Sequence, residues 1–211
     1  FVLGLGVSHG PLVTNMLGGT YAKPLSTMRT YLDRMTALPE AIEPGSGRPT
    51  RLLAALGPKM IELSGTHADG AHPYLVNPDQ TALTREILGP DKWVVSEQAV
   101  VVGGGGAVLD DAEQLRRAHL HLQIYSGLPN YRNSWLRQGF DESDFVRGGS
   151  ERLARGIVGM GTSEQAAATV TAHLDAGADH VVVQVLGDGN PAWDPRPALR
   201  ELALVLGPAT A

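Results

Sequence analysis

Five apolar runs punctuate the chain, at 1–10, 51–56, 71–76, 93–102 and 180–186, and a segment with helical spacing follows each one. No hairpin turn joins any two of them. Strands that alternate with helices in this way pair in parallel, because a parallel neighbour needs a crossover long enough for a helix. Near-continuous runs such as Val181-Val182-Val183 read as strands covered on both faces. The fold class is therefore α/β. Periodicity alone leaves open a small doubly wound sheet or part of a barrel.

The helices carry their own boundary signals. Leu25, Met28, Leu32 and Met35 share one face of a helix predicted over about 24–38. Gly57-Pro58 opens a second helix, which closes near Asp69-Gly70. Asn77-Pro78-Asp79-Gln80 is a cap followed by proline at the first helical position, and that helix stops at Gly89-Pro90. Further helices are predicted at about 110–125, from Ser150, from the capping box Thr162-Ser163-Glu164-Gln165 to Gly177, and at about 195–206. Pro73 weakens the strand at 71–76. The stretch at about 127–149 contains no strand and reads as an insertion in a single domain spanning 1–211.

With 211 residues, 43% of them hydrophobic, the chain is long enough to bury a core. A net charge of -5 argues against a nucleic-acid or anionic-membrane partner, while leaving room for a small anion at a helix terminus. The absence of cysteine excludes disulfides, thiolate metal sites and cysteine nucleophiles, and suits a reducing cytoplasm, the expected location. No apolar run reaches the length of a membrane span. The chain begins without methionine, inside a strand, so a preceding segment is expected to be missing.

Three local signals bear on chemistry. Gly6-Val7-Ser8-His9-Gly10 satisfies the G-x-S-x-G nucleophile elbow of serine hydrolases. An elbow needs a helix starting almost at the serine, whereas Gly10-Pro11 and Gly18-Gly19 predict a loop before the first helix. The dinucleotide fingerprint fails, since His9 stands where its third glycine belongs. The second signal is the strand–glycine–helix turn Ala54-Ala55-Leu56-Gly57-Pro58-Lys59-Met60. Its free N–H groups at Lys59 and Met60 would seat a phosphate, unless this is simply a well-capped loop. The third is histidine: His67 and His72 flank Asp69-Gly70, and His119 and His121 lie on different faces of one helix. None has metal-ligand spacing, and no metal is expected. Trp135 and Trp193 read as packing residues.

Taken together, FVLGLGVSHGPLV, RLLAALGPKMIELSGTHADGAHPYLVNP, LGPDKWVVSEQAVVV, LPNYRNSWLRQGFDESDF and HLDAGADHVVVQVL resemble the luciferase-like monooxygenase superfamily. The resemblance is to its coenzyme F-420-dependent oxidoreductases, and it covers almost the whole chain. It implies a (β/α)8 TIM barrel of which this chain spans about strands 4 to 8, with three βα units absent. It places a deazaflavin, or FMN as the alternative, at the C-terminal ends of the strands. By the same resemblance Ser8, Ala54, Ala55, Gly57, Pro58 and Tyr74 would contact the cofactor. His9 would replace a carboxylate that acts as acid in some relatives, and Asn77 would replace a phosphate-binding lysine. The implied activity is hydride transfer between F-420 and a small organic substrate, with His9 assisting proton movement.

An FMN-dependent monooxygenase is the nearest alternative. A serine hydrolase using Ser8 and an inactive truncated barrel that pairs with another chain are alternatives of other classes. Five strands would leave two open edges, which makes a homodimer a further expectation.

Overall fold

The structure is a computed structural model and describes residues 1–37 and 47–207. Leu38 and the first half of the connector at 43–50 lie outside the described residues. Five strands, β1 (Val2–Leu5), β2 (Thr50–Leu53), β3 (Gly70–Ala71), β4 (Trp93–Val100) and β5 (His180–Val185), form one parallel sheet in sequence order. The sheet curls into half a barrel. The helices are α1 (Pro24–Ala37), α2 (Pro58–His67), α3 (Pro78–Leu88), α4 (Asp111–Tyr125), α5 (Pro129–Arg137), α6 (Glu151–Ile157), α7 (Ser163–Asp175) and α8 (Arg196–Leu206). None among the described residues is long and apolar enough to cross a membrane.

Alternation along β4 separates the two faces of the sheet. Val100 and Val102 pack against Ala166 and Ala167 of α7 and Ala198 and Leu202 of α8, on the convex side. Ala99 and Val101 point the other way, into a cluster with Leu75, Leu122, Tyr131, Trp135 and Leu153. Helices α4 to α6, which include the strandless insertion, therefore cover the concave side. Every residue of β4 after Trp93 is buried, as expected of a strand covered on both faces. The outer strands depart from that expectation. β1 alternates exposed and half-buried residues, and β5 is at most half-buried, because each has one paired edge among the described residues.

Two polar residues of β4 are absorbed on its convex face. His173 of α7, wholly buried, meets Thr81 of α3 through Nδ1 at 2.8 Å and Gln98 through Nε2 at 2.8 Å. Thr81 also reaches Ser96 at 2.9 Å, so one chain of hydrogen bonds links α3, β4 and α7. Burial lowers the His173 imidazole to about 4, which keeps it neutral.

The caps read from the sequence are present. Asn77 accepts from the Gln80 N–H at 3.0 Å, and Thr162 and Gln165 form a reciprocal capping box. Asn77→Ala is expected to cost about 1 kcal/mol, measured as a shift in the urea midpoint without a change in slope.

β3 is shorter than the six residues expected, and Pro73 is the reason. Trp93 N–H donates to Asp69 O and Glu97 N–H to Pro73 O, which fixes the register of β4 against this segment. The same register sets the Val95 carbonyl opposite Pro73, which has no N–H to give. The ladder stops there, and the chain beyond it bends, with Leu75 held at φ 53°.

Candidate active site at the strand ends

The stretch after Pro73 recovers its backbone hydrogen bonds from side chains. His72 Nδ1 lies 2.6 Å from the Val95 carbonyl and takes the place of the missing N–H. The Leu75 N–H donates to Glu97 Oε2 at 3.1 Å, and the Leu75 carbonyl accepts from Trp135 Nε1 at 2.9 Å. Leu75 occupies left-handed backbone, a costly conformation for a branched side chain, and these bonds hold it there. Tyr74, one residue earlier, is thereby fixed on the concave side.

Tyr74 is the hub of an aromatic wall. Its hydroxyl donates to Gln184 Oε1 of β5 at 2.7 Å, so its oxygen accepts from His121 Nε2 at 3.1 Å and from the Tyr125 hydroxyl at 3.4 Å. The Tyr125 and Tyr131 rings meet edge-on at 4.8 Å, and Tyr131 lies 5.7 Å from the His9 ring. Burial pushes the Tyr74 and Tyr131 hydroxyls far up, so both stay protonated. Burial likewise lowers His121, in keeping with a neutral ring that donates through Nε2.

The wall borders a cavity of about 710 Å³ at the C-terminal ends of β1, β2 and β3. Ser8, His9, Ala54, Ala55, Gly57 and Tyr74 all line it, so the structure brings together six of the seven residues expected there. Pro58, exposed at the first position of α2, falls outside the lining. Asn77 is also outside, its side chain spent on capping α3. Among the described residues the lining holds Arg137 but no carboxylate, although the whole chain carries a net charge of -5. Arg137 donates to the Leu56 carbonyl at 3.1 Å, and none of the ion pairs among the described residues includes it.

Two details of the phosphate turn and the elbow differ from the sequence reading. The Met60 N–H is not free, since it donates to Gly57 O at 2.9 Å; only the Lys59 N–H remains without a backbone acceptor. A short helical turn over Leu12–Met16, begun by Val13 N–H to His9 O, stands where a loop was expected. Ser8 has φ 62°, so strand, strained serine and helical turn do follow one another. The hydroxyl of Ser8 has no hydrogen-bonded base among the described residues, which a nucleophile would require. His9 Nδ1 is a buried atom without a partner among the described residues. No cluster of metal ligands occurs among the described residues.

Three groups escaped the sequence reading. Tyr131 and Arg137 came from the insertion, whose α5 was read only as strandless. Glu97 stands within the run at 93–102, which the sequence marks only as apolar. A carboxylate amid apolar residues of a buried strand is the signal that marks it. It is 3% exposed, its Oε1 has no partner, and burial raises it to about 7.

The luciferase-like monooxygenase family model matches residues 1–180. The chain belongs to that family. Solved structures share the fold at low identity. An F420-dependent secondary alcohol dehydrogenase in complex with an F420-acetone adduct is 12% identical, with a TM-score of 0.57 over 86% of this chain and 63% of that one. Apo-MsnO8 is 20% identical, with a TM-score of 0.56 over 97% and 66%. The coenzyme F420-dependent tetrahydromethanopterin reductase from Methanopyrus kandleri is 13% identical, with a TM-score of 0.60 over 96% and 72%. No curated protein matches. This chain thus spans about two thirds of the length of the solved relatives.

Proposed function

We propose that this luciferase-like chain is part of a deazaflavin-dependent oxidoreductase that moves a hydride between coenzyme F-420 and a small organic substrate. In this reading its strands are the fourth to eighth of a (β/α)8 barrel. The observation that carries it is the cavity at the C-terminal strand ends: aromatic on one wall and, among the described residues, free of carboxylates and bordered by an arginine without an acidic partner. A planar, apolar ring with an anionic tail suits that lining, and the volume is ordinary for a cofactor site. The two named F420-dependent neighbours support the same choice.

Ala54, Ala55 and Gly57 would lie along the tail, with the Lys59 N–H and the Arg137 guanidinium facing its negative charge. The tyrosine wall would pack on the ring and exclude water. The Tyr74 hydroxyl is already committed to Gln184, so that residue would contribute its ring more than its proton. When bound, a deazaflavin would supply a hydride acceptor, and its reduction would take up a proton. His9, whose Nδ1 lacks a partner among the described residues, would assist that proton movement.

Titration with oxidised and reduced F-420, with FMN as comparator, tests the assignment. Saturable F-420 binding, followed by fluorescence, is expected. Saturable binding of FMN alone would overturn the deazaflavin in favour of a flavin monooxygenase.

A further inference from the structure

At the opposite end of the sheet from the aromatic wall, a cavity of about 430 Å³ opens between the last turns of α1 and α2. Thr36, Arg48, Arg51, His67 and Lys92 line it, with Asp33 as the one carboxylate among the described residues. Arg51 of β2 is the unusual member. It is only 5% exposed, yet no ion pair among the described residues includes it. Its Nη1 donates to Thr36 Oγ1 at 3.1 Å, and its Nε is buried without a partner among the described residues. A guanidinium does not escape burial by shedding its proton, so the charge stays. A buried charge left unpaired is costly, and a counter-charge from outside the chain relieves that cost.

The acids close by are engaged elsewhere. Asp69 accepts from the two Nη atoms of Arg48 at 2.7 and 2.6 Å and from the Arg51 N–H at 2.8 Å. Asp33 lies 3.6 Å from His67 Nε2. Lys92 Nζ donates to the Ala68 carbonyl at 2.8 Å, which caps the carbonyl end of α2, and keeps hydrogens to spare. Arg48, Arg51 and Lys92 thus outnumber Asp33 and Asp69 in a chain whose net charge is -5.

We propose that this cavity is an anion site that takes a phosphate group, free or carried by a small molecule, on Arg51, Arg48 and Lys92. These donors come from three separate segments: before β2, within it and before β4. A phosphate offers oxygens to several donors at once, whereas a flat carboxylate serves a single fork. The volume lies in the range of small-molecule sites, which leaves room for an organic part. No residue is shared with the lining of the strand-end cavity, so the site stands apart from the deazaflavin reading. Occupancy would tie α1, α2 and β2 together and stabilise the fold by linkage.

The test uses the whole chain labelled with 15N-arginine, with the Arg51 Nε–Hε correlation assigned through its backbone. Inorganic phosphate and glycerol 1-phosphate are titrated at constant ionic strength, with acetate and chloride as comparators. Both phosphates are expected to shift that correlation saturably, with a Kd in the millimolar range or below, and to raise Tm in step. Tighter binding of the monoester would identify a small-molecule phosphate as the ligand, and tighter inorganic phosphate the free ion. Arg51→Gln is expected to lower the affinity about 10- to 100-fold, read from the Tm shift. Arg137→Gln removes the cation of the other cavity and is expected to leave the Arg51 response in place. An Arg51 correlation indifferent to both phosphates would overturn the proposal, and so would an equal response to chloride. Loss of the response in Arg137→Gln would overturn it too, by placing the phosphate at the strand ends. The wild-type titration decides the matter even if Arg51→Gln does not fold.

Discussion

Trp135→Ala is expected to destabilise the chain by about 3–5 kcal/mol, measured by urea unfolding. Trp135 is wholly buried where α5 meets the concave cluster, with the Tyr131 ring at 5.7 Å and the Phe145 ring at 6.0 Å. Truncation removes most of that contact surface and leaves a void that the surrounding side chains fill only in part. It also removes the donor to the Leu75 carbonyl, leaving a buried acceptor unpaired. Trp135→Phe helps to separate the two contributions, because it keeps a six-membered ring in the site and loses the N–H with only part of the indole volume. A cost of about 1–3 kcal/mol is expected for it. Equal losses for the two variants would show that the hydrogen bond, and not the packing, dominates. Tyr131 lies one helical turn earlier on the same face, so both substitutions should also weaken ligand binding.

Glu97→Gln is expected to stabilise the protein above neutral pH, an unusual result for the core of a sheet. Glu97 is raised by burial from 4.5 to about 7, so the folded state holds its proton more tightly than the unfolded state. Its contribution is fully present below about pH 4.5 and is lost as pH rises through 7. The difference amounts to about 3 kcal/mol. His173 has the opposite sign. Lowered from 6.5 to about 4, it contributes fully above pH 6.5 and loses that contribution as pH falls through 4. Over this window the two slopes oppose one another, and the wild-type profile is flattened by them. Glutamine keeps a carbonyl acceptor for the Leu75 N–H and removes one of the slopes. Urea unfolding from about pH 5 to about pH 8 should therefore show variant stability rising with pH and passing the wild type. A variant that tracks the wild type at every pH would show that Glu97 does not titrate in this range.

The elements that follow from periodicity and punctuation were legible in the sequence. Apolar spacing marked α1, the Asn77 and Thr162 caps marked α3 and α7, and the valine runs marked β4 and β5. The meeting of Ser8, His9, Ala54, Ala55, Gly57 and Tyr74 at one cavity followed from the parallel sheet, which places successive strand ends side by side. What escaped notice depends on contacts distant in the chain. Tyr131 and Arg137 reach the cavity only because α5 folds back over the concave face. The helical turn after His9 was hidden because its glycines and proline are ordinary loop formers. The exposure of β1 depends on what lies beside it, which its own residues do not state.

A single imino acid, Pro73, has a consequence that reaches beyond its neighbours. Where a ladder continues, shifting one strand end means unzipping the row beside it, and cooperativity resists the change. Here the segment from His72 to Val76 keeps two main-chain bonds, His72 N–H to Leu53 O and Glu97 N–H to Pro73 O, and beyond them hangs on three side-chain tethers: His72, Glu97 and Trp135. The first two can be exchanged or lengthened one at a time while the row of main-chain bonds from β1 to β5 stays intact. Divergence in what the cavity accepts can therefore accumulate at the His72 and Glu97 tethers without disturbing that row, whereas Trp135 is fixed by its packing.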